Sequence, residues 1–259
     1  MRALKARALT ARSLTTLAMQ RSSLLLLALL AACSAPAERG IAPADAQATA
    51  LTLSVAPGIN DTYLDPTLDV DGLVERFEGE SREVYVHRER IAEWTGLCDG
   101  MRVADIGAGT GLFTVPFAQR VGDEGKVFAV EIAPRLVEHL ESVARAKGMT
   151  QVQVVEGGER DVRLPDHSVQ VAFVCDTYHH FEYPAETLRS IHRAIVPNGE
   201  LLIIDFERIE GVSRPWILGH VRAGREVVIA EIEAAGFKLT DQASIPGLVE
   251  NYALRFRRL

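Results

Sequence analysis

The stretch from Met101 to Pro116, MRVADIGAGTGLFTVP, constrains this chain more than any other. Val103, Ala104 and Ile106 make a short apolar run suited to a buried parallel strand. Asp105 sits near the end of that run. Gly107, Gly109 and Gly111 follow, and a helical pattern opens by Leu112. Glycines serve where backbone must turn sharply and approach a ligand without a Cβ in the way. The amides of a loop that leads into a helix can face a polar or anionic ligand. A dinucleotide fingerprint has the spacing G-x-G-x-x-G. Here the third glycine comes one residue early, giving D-x-G-x-G-x-G, which disfavours a nicotinamide-dependent oxidoreductase.

The remainder of the chain from residue 99 alternates as an α/β domain does. The patterning predicts strands over Arg102–Ile106, Lys126–Glu131, Gln151–Glu156, Val169–Asp176 and Glu200–Asp205. Helices are expected over Gly111–Val121, Pro134–Lys147, Pro184–Val196 and Val221–Ala235. Pro134 suits a first helical turn, and Pro197-Asn198-Gly199 turns the chain into the fifth strand. Phe237–Ser244 and Tyr252–Arg257 read as two final strands around Pro246-Gly247, and two strands joined without a helix pair antiparallel.

The glycine loop resembles motif I of class I S-adenosylmethionine (SAM) methyltransferases, and five βα steps closed by an antiparallel pair is similar to the topology of that family. The resemblance implies a doubly wound α/β fold with a mostly parallel seven-stranded sheet over residues 99–259. It also implies SAM as cofactor, with Asp105, Gly107, Ala108, Gly109 and Gly111 around its amino-acid end. Glu131 ends the second strand, 24 positions after Gly107, where a carboxylate accepts both ribose hydroxyls of a nucleoside. Ile132 is placed to pack on the adenine face. After the third strand comes Glu156-Gly157-Gly158-Glu159-Arg160-Asp161, where the family contacts the adenine amine. Glu159 and Asp161 are the acidic candidates there, with Arg160 between them.

Cys175-Asp176-Thr177-Tyr178-His179-His180-Phe181 leaves the fourth strand at the carboxyl edge of the sheet, where ligands of open α/β sheets bind. Asp176 is a further cofactor-binding candidate. The segment resembles the His-His-Phe variant of small-molecule methyltransferases. A histidine has an unperturbed pKa near neutrality and can act as general base for a hydroxyl, thiol or amine. His179 and His180 are therefore the catalytic candidates, and His179, nearer the strand, is preferred. Asp205 ends the fifth strand, and Trp216, His220, Arg222 and Arg225 lie downstream. Trp216 reads as core; Arg222 and Arg225 read either as clamps for a substrate carboxylate or as partners of Glu226 or Asp205. Nothing in the spacing calls for a metal.

The first 32 residues differ in character. They carry Arg2, Lys5, Arg7, Arg12 and Arg21 and no acidic residue, then the apolar run Leu24 to Ala32. That run has the length of a signal-peptide core and is too short to span a bilayer. Leu30-Ala31-Ala32-Cys33 matches a bacterial lipobox, so residues 1–32 are expected to be a signal peptide, and Cys33 a lipid anchor in the cell envelope. Residues 33–60, rich in Ala, Pro and small polar residues, read as a flexible tether, and 61–98 as an N-terminal helical cap. Without residues 1–32 the chain has 23 basic against 35 acidic residues, near −12, which argues against a nucleic-acid partner. Arg255, Arg257 and Arg258 read as a solvated strand edge. Cys98 and Cys175 are too far apart in sequence to suggest a metal-ligand pair.

The expectation is a lipid-anchored, SAM-dependent methyltransferase with a small-molecule acceptor. The competing reading is a membrane-tethered lipoprotein that uses a nucleoside-binding Rossmann-like domain as a non-catalytic module. It is motivated by a conflict between an export signal and a cofactor made in the cytosol.

Overall fold

The structure, a computed structural model, describes residues 53–79 and 82–259. The expected signal peptide, Cys33 and the tether up to residue 52 lie outside the described residues. Among the described residues, no helix is long and apolar enough to cross a membrane.

Four short helices come first: α1 (Asp61–Leu64), α2 (Val70–Phe77), α3 (Glu83–Val86) and α4 (Arg88–Trp94). The Asp69 side chain caps α2 by accepting from the Gly72 amide. α3 and α4 are separated at His87, whose ψ of 15° leaves the helical region. The alternating part follows as β1 (Arg102–Ile106), α5 (Thr114–Val121), β2 (Lys126–Glu131), α6 (Pro134–Ala146), β3 (Val152–Glu156), β4 (Val169–Cys175), α7 (Pro184–Ala194) and β5 (Ile195–Phe206). The chain ends with α8 (Pro215–His220), α9 (Arg225–Ala234), β6 (Phe237–Ala243) and β7 (Asn251–Arg258).

The described residues form a seven-stranded sheet in the order β3-β2-β1-β4-β5-β7-β6. β1 to β5 are mutually parallel, and β7 runs antiparallel to both β5 and β6. This is the expected fold. The chain reverses its winding between β1 and β4, so the carboxyl ends of those strands face a crevice that no crossover fills.

The sheet is buried on both faces because successive strand residues alternate between two cores. Ala104, Ile106, Val130, Ala172 and Val174 face one layer with Leu188 and Ile191 of α7 and Ile232 of α9. Val103, Val127, Val171 and Phe173 face the other with Phe113, Phe117 and Ile91. Phe117 and Phe173 meet edge to face at 5.0 Å. Removing a fully buried ring such as Phe173 would cost about 3–5 kcal/mol, a large part of a domain's net stability.

Local departures from expectation have local causes. Helix α5 starts at Thr114, not Gly111, because Gly111 has φ +91°, outside the right-handed helical region. β5 begins at Ile195, before the Pro197-Asn198-Gly199 turn, since a register shift between Val169 and Val171 absorbs that turn as an irregularity within the strand pair. The expected helix over 221–235 is shortened to α9, with Gly224 extended just before it, and α8 over Pro215–His220 is a helix the patterning did not predict.

Two readings need correction. Arg255, Arg257 and Arg258 are not on an edge, because β7 lies between β5 and β6. Arg255 pairs with Glu200 and stacks on Trp94, and Arg258 donates to the Ile195 carbonyl. The tether does not reach residue 60. The Val55 amide donates to the Glu182 carbonyl at 2.8 Å, and Asn60 is buried against His180.

Candidate active site

The carboxyl ends of four strands each deliver a buried or nearly buried carboxylate to the same edge of the sheet. Asp105 comes from β1, Glu131 from β2, Asp176 from just after β4 and Asp205 from β5. Two adjoining cavities open there. They share Tyr63, Phe77, Gly107, Gly109, Thr177 and His180 as walls.

The first cavity is bounded by Glu131, Ile132, Glu159, Val162, Phe181 and Leu136. Glu131 is fixed from three directions: Oε2 accepts from the Gly109 amide at 2.9 Å, and Oε1 accepts from the Ile132 and Ala133 amides at 2.8 and 3.0 Å. Burial raises its pKa, and the three amides oppose the rise. The Gly109 amide thus ties the glycine loop to the end of β2. Gly107 is needed for a different reason: its φ is +71°, and a Cβ there would stand 2.2 Å from Thr177 Cγ2. Gly109, at φ +56°, has open space instead, with only the Gly107 carbonyl within 4 Å of an added Cβ. Gly111 does not line either cavity; it passes close to Leu140 of α6.

The second cavity is reached by Asp105, Ala108, Thr110, Cys175, His179 and Trp216, among others. Asp105 accepts from Thr114 Oγ1 at 2.6 Å. Burial, reinforced by the charge of Glu131, pushes its pKa to about 7 against that hydrogen bond. Asp176 is bound on one side by Arg82 and on the other by Asn251 Nδ2 at 2.5 Å. Burial raises its pKa to about 6, with the Arg82 charge opposing the shift. Thr110 Oγ1 and Asn251 Oδ1 are buried without a hydrogen-bond partner in the structure, although both residues line this cavity. Unpaired buried polar atoms at a cavity wall are free to meet polar ligand groups.

The two catalytic candidates sit on a single 3-10 turn, Tyr178–His180. Asp205 holds His179 twice, accepting from its Nδ1 at 2.7 Å and from its backbone amide at 3.0 Å. Burial alone would lower the pKa of His179, but the Asp205 charge and hydrogen bond hold it above the ordinary value. His180 turns towards the N-terminal segment, not towards α7. Its Nδ1 lies 3.2 Å from Asn60 Oδ1, its carbonyl accepts from Asn60 Nδ2, and the Tyr63 ring meets it edge-on. Burial, with His179 and His220 adjacent, lowers its pKa to about 3. His220, at the end of α8, brings its Nε2 to 3.4 Å from His180 Nε2.

Asp161 does not reach the first cavity: it is paired with Arg193 at 2.8 Å, and its other oxygen accepts from the Arg163 amide. Glu159 does line that cavity, so of the two acidic candidates only Glu159 faces it. Arg160 stacks on Tyr183 and pairs with Glu186. Trp216 is not core. It is 43% exposed, on the wall of the second cavity, edge-on to Phe206 at 4.9 Å. Arg222 and Arg225 are not clamps in the main cavities; they pair with Glu231 and Glu207. Arg76, Arg82 and Arg214 line the second cavity, and of these Arg82 pairs with Asp176; it carried no sequence signal because it lies in a charged stretch 94 positions away.

Residues 104–203 match a family model described as a methyltransferase domain. Among curated proteins, the chain is similar to the ubiquinone/menaquinone biosynthesis C-methyltransferase UbiE of Shewanella sp. strain W3-18-1. The two are 28% identical over 127 residues, 48% of this chain and 51% of that protein. The chain thus matches about half the length of such curated relatives. Among solved structures, a SAM-dependent methyltransferase from Aquifex aeolicus superimposes with a TM-score of 0.65 at 24% identity, covering 73% of this chain and 98% of that one. The [4+2]-cyclase SpnF superimposes with a TM-score of 0.57 at 17% identity, covering 66% and 80%. These likenesses establish the fold. The cyclase is a reminder that one fold hosts more than one chemistry, so function has to be argued from the site.

Proposed function

We propose that this methyltransferase, whose cofactor is S-adenosylmethionine, transfers its methyl group to a small-molecule acceptor held at the ends of β4 and β5. One observation carries the reading: two cavities adjoin at the carboxyl edge, one furnished for a nucleoside and the other lined by imidazoles, with a shared wall at Gly109, Thr177 and His180.

The residues fit the cofactor. Three buried or nearly buried carboxylates, Asp105, Glu131 and Asp176, suit a ligand of net positive charge, and the unpartnered Thr110 hydroxyl offers a further polar contact. When bound, SAM supplies an electrophilic methyl group on a sulfonium. Glu131, oriented by three amides, would accept the ribose hydroxyls on its remaining lone pairs. Ile132 would pack on the adenine, Glu159 would take its amine, and Asp105 with the loop from Gly107 to Thr110 would hold the amino-acid end. Asp176 stands between the two cavities.

On the acceptor side, Asp205 fixes the His179 ring through Nδ1 and leaves Nε2 to take a proton from the nucleophile. The chain's main work is to hold the two reactants in line and to exclude water, and α1, α2 and Arg82 close the site from above. The wall of Phe206 and Trp216 suits a flat aromatic acceptor, in keeping with the similarity to quinone-biosynthesis methyltransferases. Lipidation at Cys33 and residence in the cell envelope belong to the same proposal and rest on the lipobox alone.

The test is incubation with SAM labelled in its methyl group and small-molecule extracts, followed by mass spectrometry for a product carrying one labelled methyl. Glu131→Ala should lose product through weakened SAM binding, and His179→Ala should lose it with SAM binding kept. A folded protein that binds no SAM in calorimetry would overturn the reading.

A further inference from the structure

Three imidazoles from two separate elements converge on the second cavity. His179 and His180 are consecutive on the turn after β4, and His220 ends α8. One ligand-capable nitrogen from each lies within 4.8 Å of those of the other two. His180 Nε2 and His220 Nε2 are 3.4 Å apart. Two nitrogens bound to one tetrahedral zinc ion at ordinary Zn–N lengths stand about 3.4 Å apart.

The supports behind the rings match this geometry. Asp205 accepts from His179 Nδ1 at 2.7 Å, and Asn60 Oδ1 lies 3.2 Å from His180 Nδ1. Both partners fix the ring and leave Nε2 for a ligand. Metal-binding histidines characteristically offer their second nitrogen to a carboxylate or carbonyl oxygen in this way. Asp205 is itself held by the His179 and Phe206 amides, so the support is rigid.

We propose that His179, His180 and His220 bind one divalent transition-metal ion, with an open coordination position facing the acceptor cavity. Three imidazoles favour zinc or cobalt over magnesium or calcium, which prefer oxygen. Three protein ligands with a free fourth position is the arrangement of catalytic rather than structural zinc. The sequence showed no such motif because His220 is 40 positions from His180.

The role of the ion rests on the methyltransferase reading; its binding does not. With the metal present, His179 is a ligand and not a base. An acceptor hydroxyl or thiol at the open position is acidified and loses its proton to solvent. The electron pair left on that oxygen or sulfur attacks the methyl carbon, and the carbon–sulfur bond of the cofactor breaks with its pair passing to sulfur.

The experiment uses the untagged full-length chain, stripped with chelator and titrated with Co²⁺ alone, then with Zn²⁺ as competitor. One equivalent of Co²⁺ should give the intense visible absorption of low-coordinate cobalt, and Zn²⁺ should displace it. His220→Ala, at a partly exposed helix end, and separately His180→Ala should each weaken Co²⁺ binding at least tenfold. SAM affinity of His220→Ala, measured by calorimetry on the same preparation, should be unchanged. Absence of saturable Co²⁺ binding, or undiminished binding in either variant, overturns the proposal. Wild-type protein that binds Co²⁺ but no SAM overturns the methyltransferase reading and supports the metal site.

Discussion

His179 Nδ1 lies 2.7 Å from Asp205 Oδ1, and both side chains are almost fully buried at the carboxyl end of the sheet. The two come from neighbouring strands: His179 from the turn that leaves β4, Asp205 from the end of β5. Parallel pairing of β4 with β5 sets Cys175 opposite Ile204, so the residues just beyond are brought together by register. Asp205 thereby fixes which nitrogen of His179 faces the cavity.

Asp205→Asn should preserve the shape of this contact and remove its charge. Weakening a hydrogen bond to a charged group predicts a loss of about 1.5–3 kcal/mol in unfolding free energy, read from denaturant midpoints. Turnover on an identified acceptor should fall about 10–100-fold, the usual cost of losing a group that orients a functional histidine. SAM affinity should be unchanged, which separates positioning of His179 from damage to the cofactor cavity.

Gly107 and Gly109 should respond differently to a side chain. Gly107→Ala drives a Cβ into Thr177, whose hydroxyl is tied to the Cys175 carbonyl, so the melting temperature should fall. Gly109→Val directs its side chain into open space at the shared wall. Its SAM affinity should drop tenfold or more, about 1.4 kcal/mol, with a smaller loss of stability. Equal SAM affinity in a folded Gly109→Val protein would remove the loop from the cofactor site.

Asp105 and Asp176 set a pH dependence whose sign can be worked out. Their folded pKa values are raised from 3.8 to about 7 and about 6. The folded state therefore keeps protons that the unfolded chain has already released. These groups lower stability as pH rises from about 4 to about 7, and they do so in the cofactor-free protein. A bound cation favours their charged forms. SAM affinity should therefore rise with pH through about 6–7 and level off above, with proton release visible as a buffer-dependent binding enthalpy. Asp105→Asn should flatten the upper part of that rise. Affinity independent of pH between 5.5 and 8 would count against both carboxylates facing the cofactor.

Cys33 provides the test of location. The lipobox predicts an acylated protein in the membrane fraction, with a mass matching cleavage before Cys33, and Cys33→Ser should abolish acylation. Unprocessed wild-type protein in the cytosol, with residues 1–32 intact, would overturn the anchor and remove the conflict between export and a cytosolic cofactor.

The layers, and the glycine loop and strand-end carboxylate that line the first cavity, were legible from local sequence. Apolar runs such as residues 127–130 and 171–174 are local signals, because a parallel strand buried on both faces must be apolar on both. The glycine loop and Glu131 were legible for the same reason: a left-handed turn and a strand-end carboxylate are written within a few residues. The second cavity is assembled by long-range contacts. Arg82 reaches Asp176 across 94 positions, Asn60 reaches His180 across 120, and His220 reaches it across 40. Tertiary structure also turned Asp161 outward to Arg193, set Trp216 on a cavity wall, and placed β7 between two strands, away from the edge. Each of these depends on strand order and on where a crossover returns, and strand order is set by the packing of whole layers, which no short window of residues encodes.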